Sequence, residues 1–169
     1  MVWVNTIKEA LPDYAKDTKL NLDAVINRST LTPEVANGCA LAAAMATGNG
    51  KLLTFVAAGI DESADKTAAL TAAAIMAQNN VWYPYVEMTG GALEGIPPQL
   101  RMNAIMNHGG TSKANFEAYS LAASIVSKCH FCVKAHFDTL KQEGYSLDQL
   151  RDIGRIASVI NSVAKVLNS

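Results

Sequence analysis

Cys129-His130-Phe131-Cys132-Val133-Lys134-Ala135-His136 holds the residues of this chain best suited to chemistry. Read as part of a helix closing near Gly144, Cys129, Cys132 and His136 fall at i, i+3 and i+7 and share one face. Sulfurs one turn apart can close into a disulfide, and N–H groups at a helix N-terminus, with the helix dipole, stabilise a thiolate. The arrangement therefore points to redox chemistry, with His136 orienting Cys132 or exchanging protons with it from the next turn. A CxxC also occurs in zinc sites, but these need a fourth ligand and usually a second pair of the CxxC or HxxxH kind. The sequence has no second pair. His130 reads equally as a catalytic histidine and as a partly exposed helix residue that adds positive potential near the thiolates. His108, in Asn107-His108-Gly109-Gly110, reads as a structural turn residue, and Cys39, in an Ala-rich run, as a small buried hydrophobe.

Helices must position this pair. Start and stop signals recur along the chain, and no segment alternates with period two in Val, Ile and Thr, so the fold is expected to be all-α. Thr32 before Pro33 caps a helix running to about Gly48; Ser63 and Ser112 cap two more; Ser146-Leu147-Asp148-Gln149 is a capping box for the last. Gly144 closes the cysteine helix. Tyr83 to Pro98, with Gly90-Gly91, Gly95 and Pro97-Pro98, is expected to be a loop. It would join two similar halves, about 1–83 and 99–169, of a single domain spanning 1–169. Their similarity rests on Leu41-Ala42-Ala43-Ala44-Met45-Ala46-Thr47 aligning with Leu121-Ala122-Ala123-Ser124-Ile125-Val126-Ser127 at an offset of 80. At that offset Asn49, Leu52 and Val56 stand opposite Cys129, Cys132 and His136, which assigns the chemistry to the second half.

Composition narrows the function classes. The chain has 169 residues, with 14 Lys and Arg against 15 Asp and Glu, a balance that argues against a nucleic-acid or anionic-membrane partner. No apolar run approaches the ~18 residues of a bilayer-spanning helix, and the N-terminus lacks the pattern of a secretory signal, so a soluble, cytoplasmic protein is expected. Three cysteines are too few for a secreted disulfide framework. Only 17% of residues are charged and 27 are alanine, a composition that favours burying helix faces against other subunits.

Upstream of the pair, Glu117 completes the pattern Glu-x11-Cys-x2-Cys-x3-His. Here the sequence resembles the alkyl hydroperoxide reductase D (AhpD) family of the carboxymuconolactone decarboxylase-like group. Ala10 to Asp17, Ala72 to Met76 with Asn79-Asn80-Val81, Leu100 to Asn103 and Lys113 to Glu117 also look like family segments, so the resemblance covers nearly the whole chain. It implies a homotrimer with alkyl hydroperoxidase activity on organic hydroperoxides and no bound cofactor. It further implies that a lipoylated acyltransferase subunit supplies electrons as dihydrolipoamide, and that an alkyl hydroperoxide reductase C-type peroxiredoxin is the partner re-reduced. By motif position Cys132 would be the peroxidatic thiol and Cys129 the resolving thiol, with Glu117 and His136 relaying protons. One departure stands out: the family pattern has histidine immediately before the second cysteine, whereas this chain has Phe131 there and His130 one residue earlier.

The thiol chemistry agrees: a thiolate displaces alkoxide from a peroxide, becomes a sulfenic acid, and condenses with the second thiol to a disulfide. The leaving alkoxide needs a proton, which a carboxyl in an Ala-rich helical surround could pass through His136 or a water. Without the motif Glu117 would read as a solvent-facing helix residue. Three other function classes compete: a decarboxylase or ring-opening enzyme of the wider superfamily, whose members generally lack the redox pair; a zinc-binding module; and a disulfide oxidoreductase acting only on proteins.

Overall fold

Four side-chain caps expected from the sequence set the frame. In the computed structural model, which describes residues 1–168, Thr32, Ser63 and Ser112 each accept the backbone N–H three residues on. Ser146 and Gln149 form the reciprocal capping box. The helices are α1 (Val2–Ala10), α2 (Lys16–Asn27), α3 (Pro33–Ala46), α4 (Gly50–Ala58), α5 (Ala64–Met88), α6 (Asn103–Met106), α7 (Lys113–Ser127), α8 (His130–Gln142) and α9 (Leu147–Leu167). Two 3-10 turns, Asp13–Ala15 and His108–Gly110, complete the regular structure, and no strand occurs among the described residues. None of these helices is long and apolar enough to cross a membrane.

Helices α3, α5, α7 and α9 pack against one another at the centre, with α2 laid on α9, α1 on α4, and α8 on α7 and α5. Small residues make this packing close. Ala40, Ala42, Ala43 and Ala44 of α3 and Ala118, Ala122 and Ala123 of α7 are fully buried, while Trp3, Ile7, Met76, Phe116 and Tyr119 fill the larger gaps. At Gly38 an added Cβ would fall inside the Tyr119 ring, so the α3–α7 contact requires glycine there.

Two turns eighty residues apart are built alike. Gly48 (φ +73°) ends α3, and Asn49 then caps α4 by accepting the Leu52 N–H at 2.8 Å. Eighty residues later Lys128 (φ +58°) ends α7, and the Cys129 sulfur caps α8 by accepting the Cys132 N–H at 3.2 Å. The expected loop is corrected at its start: α5 continues past Tyr83 and Pro84 to Met88. Proline removes one N–H from the ladder, and the helix nevertheless passes it. The turns beyond it are closed by Thr89 N–H to Tyr85 and Val86 oxygens, and Tyr83 stacks on Phe131 of α8, so the helix is held from both sides.

Candidate active site

The first turn of α8 carries the redox pair. Lys128 adopts the left-handed conformation, and the Cys129 N–H returns to the Ser124 carbonyl at 3.3 Å, so the chain reverses in the single residue between α7 and the cap. Cys129 and Cys132 are joined by a disulfide across a Cα–Cα separation of 5.3 Å. Both are buried. The Cys132 sulfur also faces the Asn79 carbonyl of α5 at 3.8 Å.

Glu117 and His136 lie 19 residues apart and come together across the α7–α8 packing. The His136 Nδ1 stands 2.7 Å from a Glu117 carboxylate oxygen. Glu117 is only 9% exposed, so the reading of a solvent-facing helix residue does not hold. The other ring nitrogen, Nε2, lies 3.1 Å from the Met76 sulfur of α5. A thioether is only a weak acceptor, so the strong polar partner of this ring is the Glu117 carboxylate at Nδ1. Both ring nitrogens are thus engaged, by Glu117 and by Met76, and the Cys132 sulfur faces α5.

Glu117 is placed by a second polar contact at the start of α7. Tyr119 Oη, Thr111 Oγ1 and Asn115 Nδ2 all donate to one Asp65 oxygen, at 2.7, 2.7 and 2.9 Å, fastening α7 to the first turn of α5. Burial pushes the Asp65 carboxyl up, but these hydrogen bonds outweigh it and hold the carboxyl below its ordinary range. Burial pushes the Tyr119 hydroxyl far above its usual value, so it stays a donor.

The remaining candidates separate cleanly. His130 and Phe131, between the cysteines, are exposed. Cys39 is fully buried, its sulfur 3.6 Å from the Ala118 carbonyl, and burial pushes its thiol well above the ordinary range. His108 lies in the 3-10 turn against Phe116. Among the described residues, no three His, Cys, Asp or Glu side chains gather as a metal-ligand group.

Sequence reasoning missed the contribution of α5. Met76, Asn79 and Tyr83 fall at i, i+3 and i+7 and present one face to α8, touching in turn His136, Cys132 and Phe131. Beside Phe131 an apolar cavity of about 690 Å³ opens between α5, residues 91–98 and the start of α8.

Comparison with known proteins places this site in a family. The carboxymuconolactone decarboxylase family profile matches residues 97–169, the part that contains Glu117, both cysteines and His136. A protein of Rhodospirillum centenum named alkyl hydroperoxide reductase AhpD is 42% identical, covering 98% of this chain and 91% of its own length. The protein of that name from Gluconacetobacter diazotrophicus is 38% identical over 98% of this chain and 92% of its own. Its counterpart from Coxiella burnetii is 41% identical over 96% of each. With such identity sustained from end to end, this chain belongs to the AhpD family.

Proposed function

We propose that this protein is an alkyl hydroperoxidase that reduces organic hydroperoxides through Cys129 and Cys132. Its electrons come from dihydrolipoamide on a lipoylated acyltransferase subunit, and it also re-reduces an alkyl hydroperoxide reductase C-type peroxiredoxin. The observation that carries this reading is the buried disulfide at the α8 N-terminus beside the Glu117–His136 pair. The relatives' shared name, alkyl hydroperoxide reductase, supports it.

In the reduced protein a Cys132 thiolate attacks the terminal peroxide oxygen. An S–O bond forms as the O–O bond breaks, sulfur is oxidised to the sulfenic acid, and the alkoxide leaves as alcohol after taking a proton. The Cys129 thiol then attacks that sulfur, closing the disulfide and releasing water. Thiol–disulfide exchange with a dithiol restores both cysteines, transferring two electrons and two protons. Dithiol exchange with an oxidised peroxiredoxin follows the same route.

Glu117 and His136 hold the proton these steps need. The proton in question is the one between Nδ1 and the carboxylate, relayed by Glu117 and His136 together. Removing general acid-base help of this kind costs roughly a hundredfold in rate or more, so Glu117→Gln and His136→Gln are each expected to fall by that factor.

The test is peroxide consumption with dihydrolipoamide, compared with glutathione and dithiothreitol. Turnover is expected to be fastest with dihydrolipoamide and abolished by Cys132→Ser; no turnover with any donor would remove the reading. The proposed assembly is a cytoplasmic homotrimer, supported by the exposed Val81, Met88 and Met106. Light scattering should then give three times the 17.9 kDa of one chain.

A further inference from the structure

The cavity beside the redox pair has a chemical character of its own. Trp82, Tyr83 and Val86 of α5, Leu93 and Ile96 of the following segment and Phe131 of α8 form apolar walls around about 690 Å³. That volume lies within the range of sites that hold a whole small ligand and far exceeds the needs of a peroxide O–O group. Gly91 (φ +91°) turns the segment that lines one side, and the Glu94 carboxylate lies close to that glycine.

The charges are one-sided. Among the described residues, Glu87 and Glu94 line the cavity with His130 and Tyr83 as the other titratable groups, and no Lys or Arg lines it. Both glutamates are exposed at the rim, while the walls within are apolar. A ligand entering here buries its uncharged body and meets negative charge at the entrance.

The inner end reaches the chemistry. Phe131, between the two cysteines, stacks on Tyr83 with ring centroids 4.5 Å apart. Tyr83 lies one turn beyond Asn79, whose carbonyl faces the Cys132 sulfur. The aromatic pair therefore lines the cavity and connects it through the chain to the disulfide, Phe131 standing between the cysteines and Tyr83 one turn from Asn79.

We propose that this cavity seats the apolar body of the hydroperoxide, and that Glu87 and Glu94 select uncharged substrates against carboxylate-bearing ones of the same chain length. The proposal rests on the peroxidase reading and adds a substrate subclass: neutral hydroperoxides with a long or aromatic body, such as esters, in preference to free fatty-acid hydroperoxides. Each methylene buried strengthens binding by about fourfold, so chain length favours both ester and acid. Two like charges near a partly exposed entrance are then expected to disfavour the acid by about tenfold.

Two measurements test it. The first is kcat/KM at pH 7.5, with dithiothreitol as reductant, for linoleic acid hydroperoxide, its methyl ester and tert-butyl hydroperoxide. The ester should exceed the acid by about tenfold, and Glu87→Gln with Glu94→Gln should bring the two within about twofold. The second is displacement of the uncharged fluorophore N-phenyl-1-naphthylamine by methyl decanoate and by decanoate, which reads the cavity without any peroxide chemistry. Ester-selective displacement that weakens in Phe131→Ala, and loses its selectivity in the double glutamine variant, is the expected result. Equal displacement by acid and ester, displacement by neither, or equal kcat/KM for the two hydroperoxides would overturn the proposal. Loss of turnover with every peroxide, alongside ester-selective displacement, would remove the peroxidase reading and leave the cavity's selectivity standing.

Discussion

The imidazole of His136 rests its Nε2 3.1 Å from the Met76 sulfur, which prevents the ring from turning both nitrogens toward polar partners. Met76 therefore positions the proton pair without touching a cysteine. Met76→Leu keeps the volume and removes the acceptor, so its stability should change by less than about 1.5 kcal/mol. The rate of peroxide-driven disulfide formation should nevertheless fall, by less than in His136→Gln, and its pH profile should shift. Stopped-flow kinetics across pH, with denaturant unfolding as the control, separates the two effects.

Lys128 carries a left-handed backbone that glycine adopts without steric penalty, and the other half of the chain has Gly48 at the matching place. Lys128→Gly should stabilise the protein by about 1 kcal/mol and raise Tm by about 2–4 °C. Differential scanning calorimetry of the oxidised protein checks this, and unchanged or lower Tm would mean that the lysine side chain contributes more than the backbone strain removes.

The three cysteines should behave as two classes. One equivalent of peroxide should remove two thiols, from Cys129 and Cys132, while Cys39 stays reduced until unfolding because burial keeps its thiol from ionising. Cys129→Ser should support one turnover and leave a trappable sulfenic acid at Cys132, whereas Cys132→Ser should not react. Dimedone labelling with mass spectrometry reads the outcome, and a label on Cys129 instead would exchange the roles.

Asp152 of α9 is 1% exposed and accepts from the Thr30 N–H and hydroxyl, at 2.8 and 2.9 Å, and from Arg155 at 2.9 Å. Burial alone would raise its carboxyl, but these partners outweigh it and lower it below the ordinary range. A depressed folded value means stability that is fully present above the unfolded aspartate value of about 4 and is lost as pH falls through the folded one. Asp152→Ala, which leaves those donors unpaired, should cost about 3 kcal/mol at pH 7. It should also flatten the fall in stability between about pH 5 and pH 2. Urea unfolding at several pH values measures both.

Local signals carried most of the fold. Thr32, Ser63, Ser112 and Ser146 mark helix starts because a short side-chain oxygen satisfies a nearby N–H, an interaction confined to four residues. Cys129 was read near the head of α8 from the CxxC spacing, while the role of its sulfur as the helix cap came only with the structure. The Glu117–His136 contact came from the family motif, since a separation of 19 residues across a turn has no periodicity of its own. Met76 and Asn79 were illegible as site residues, because methionine and asparagine on an Ala-rich helix acquire a role only when α8 packs on that face. The continuation of α5 to Met88 was illegible because the contacts that carry it past Pro84, Tyr83 on Phe131 among them, are tertiary.

The paired caps of α4 and α8 give the two halves different relations to oxidant. Asn49 closes its helix with an amide oxygen and ties its own nitrogen to Ala164 and Asn168, so that corner is the same whatever the electron supply. In α8 the atom that closes the helix is itself the atom oxidised. Gain or loss of two electrons is thereby registered at one helix terminus, against a matching terminus that serves as an unresponsive reference within the same chain.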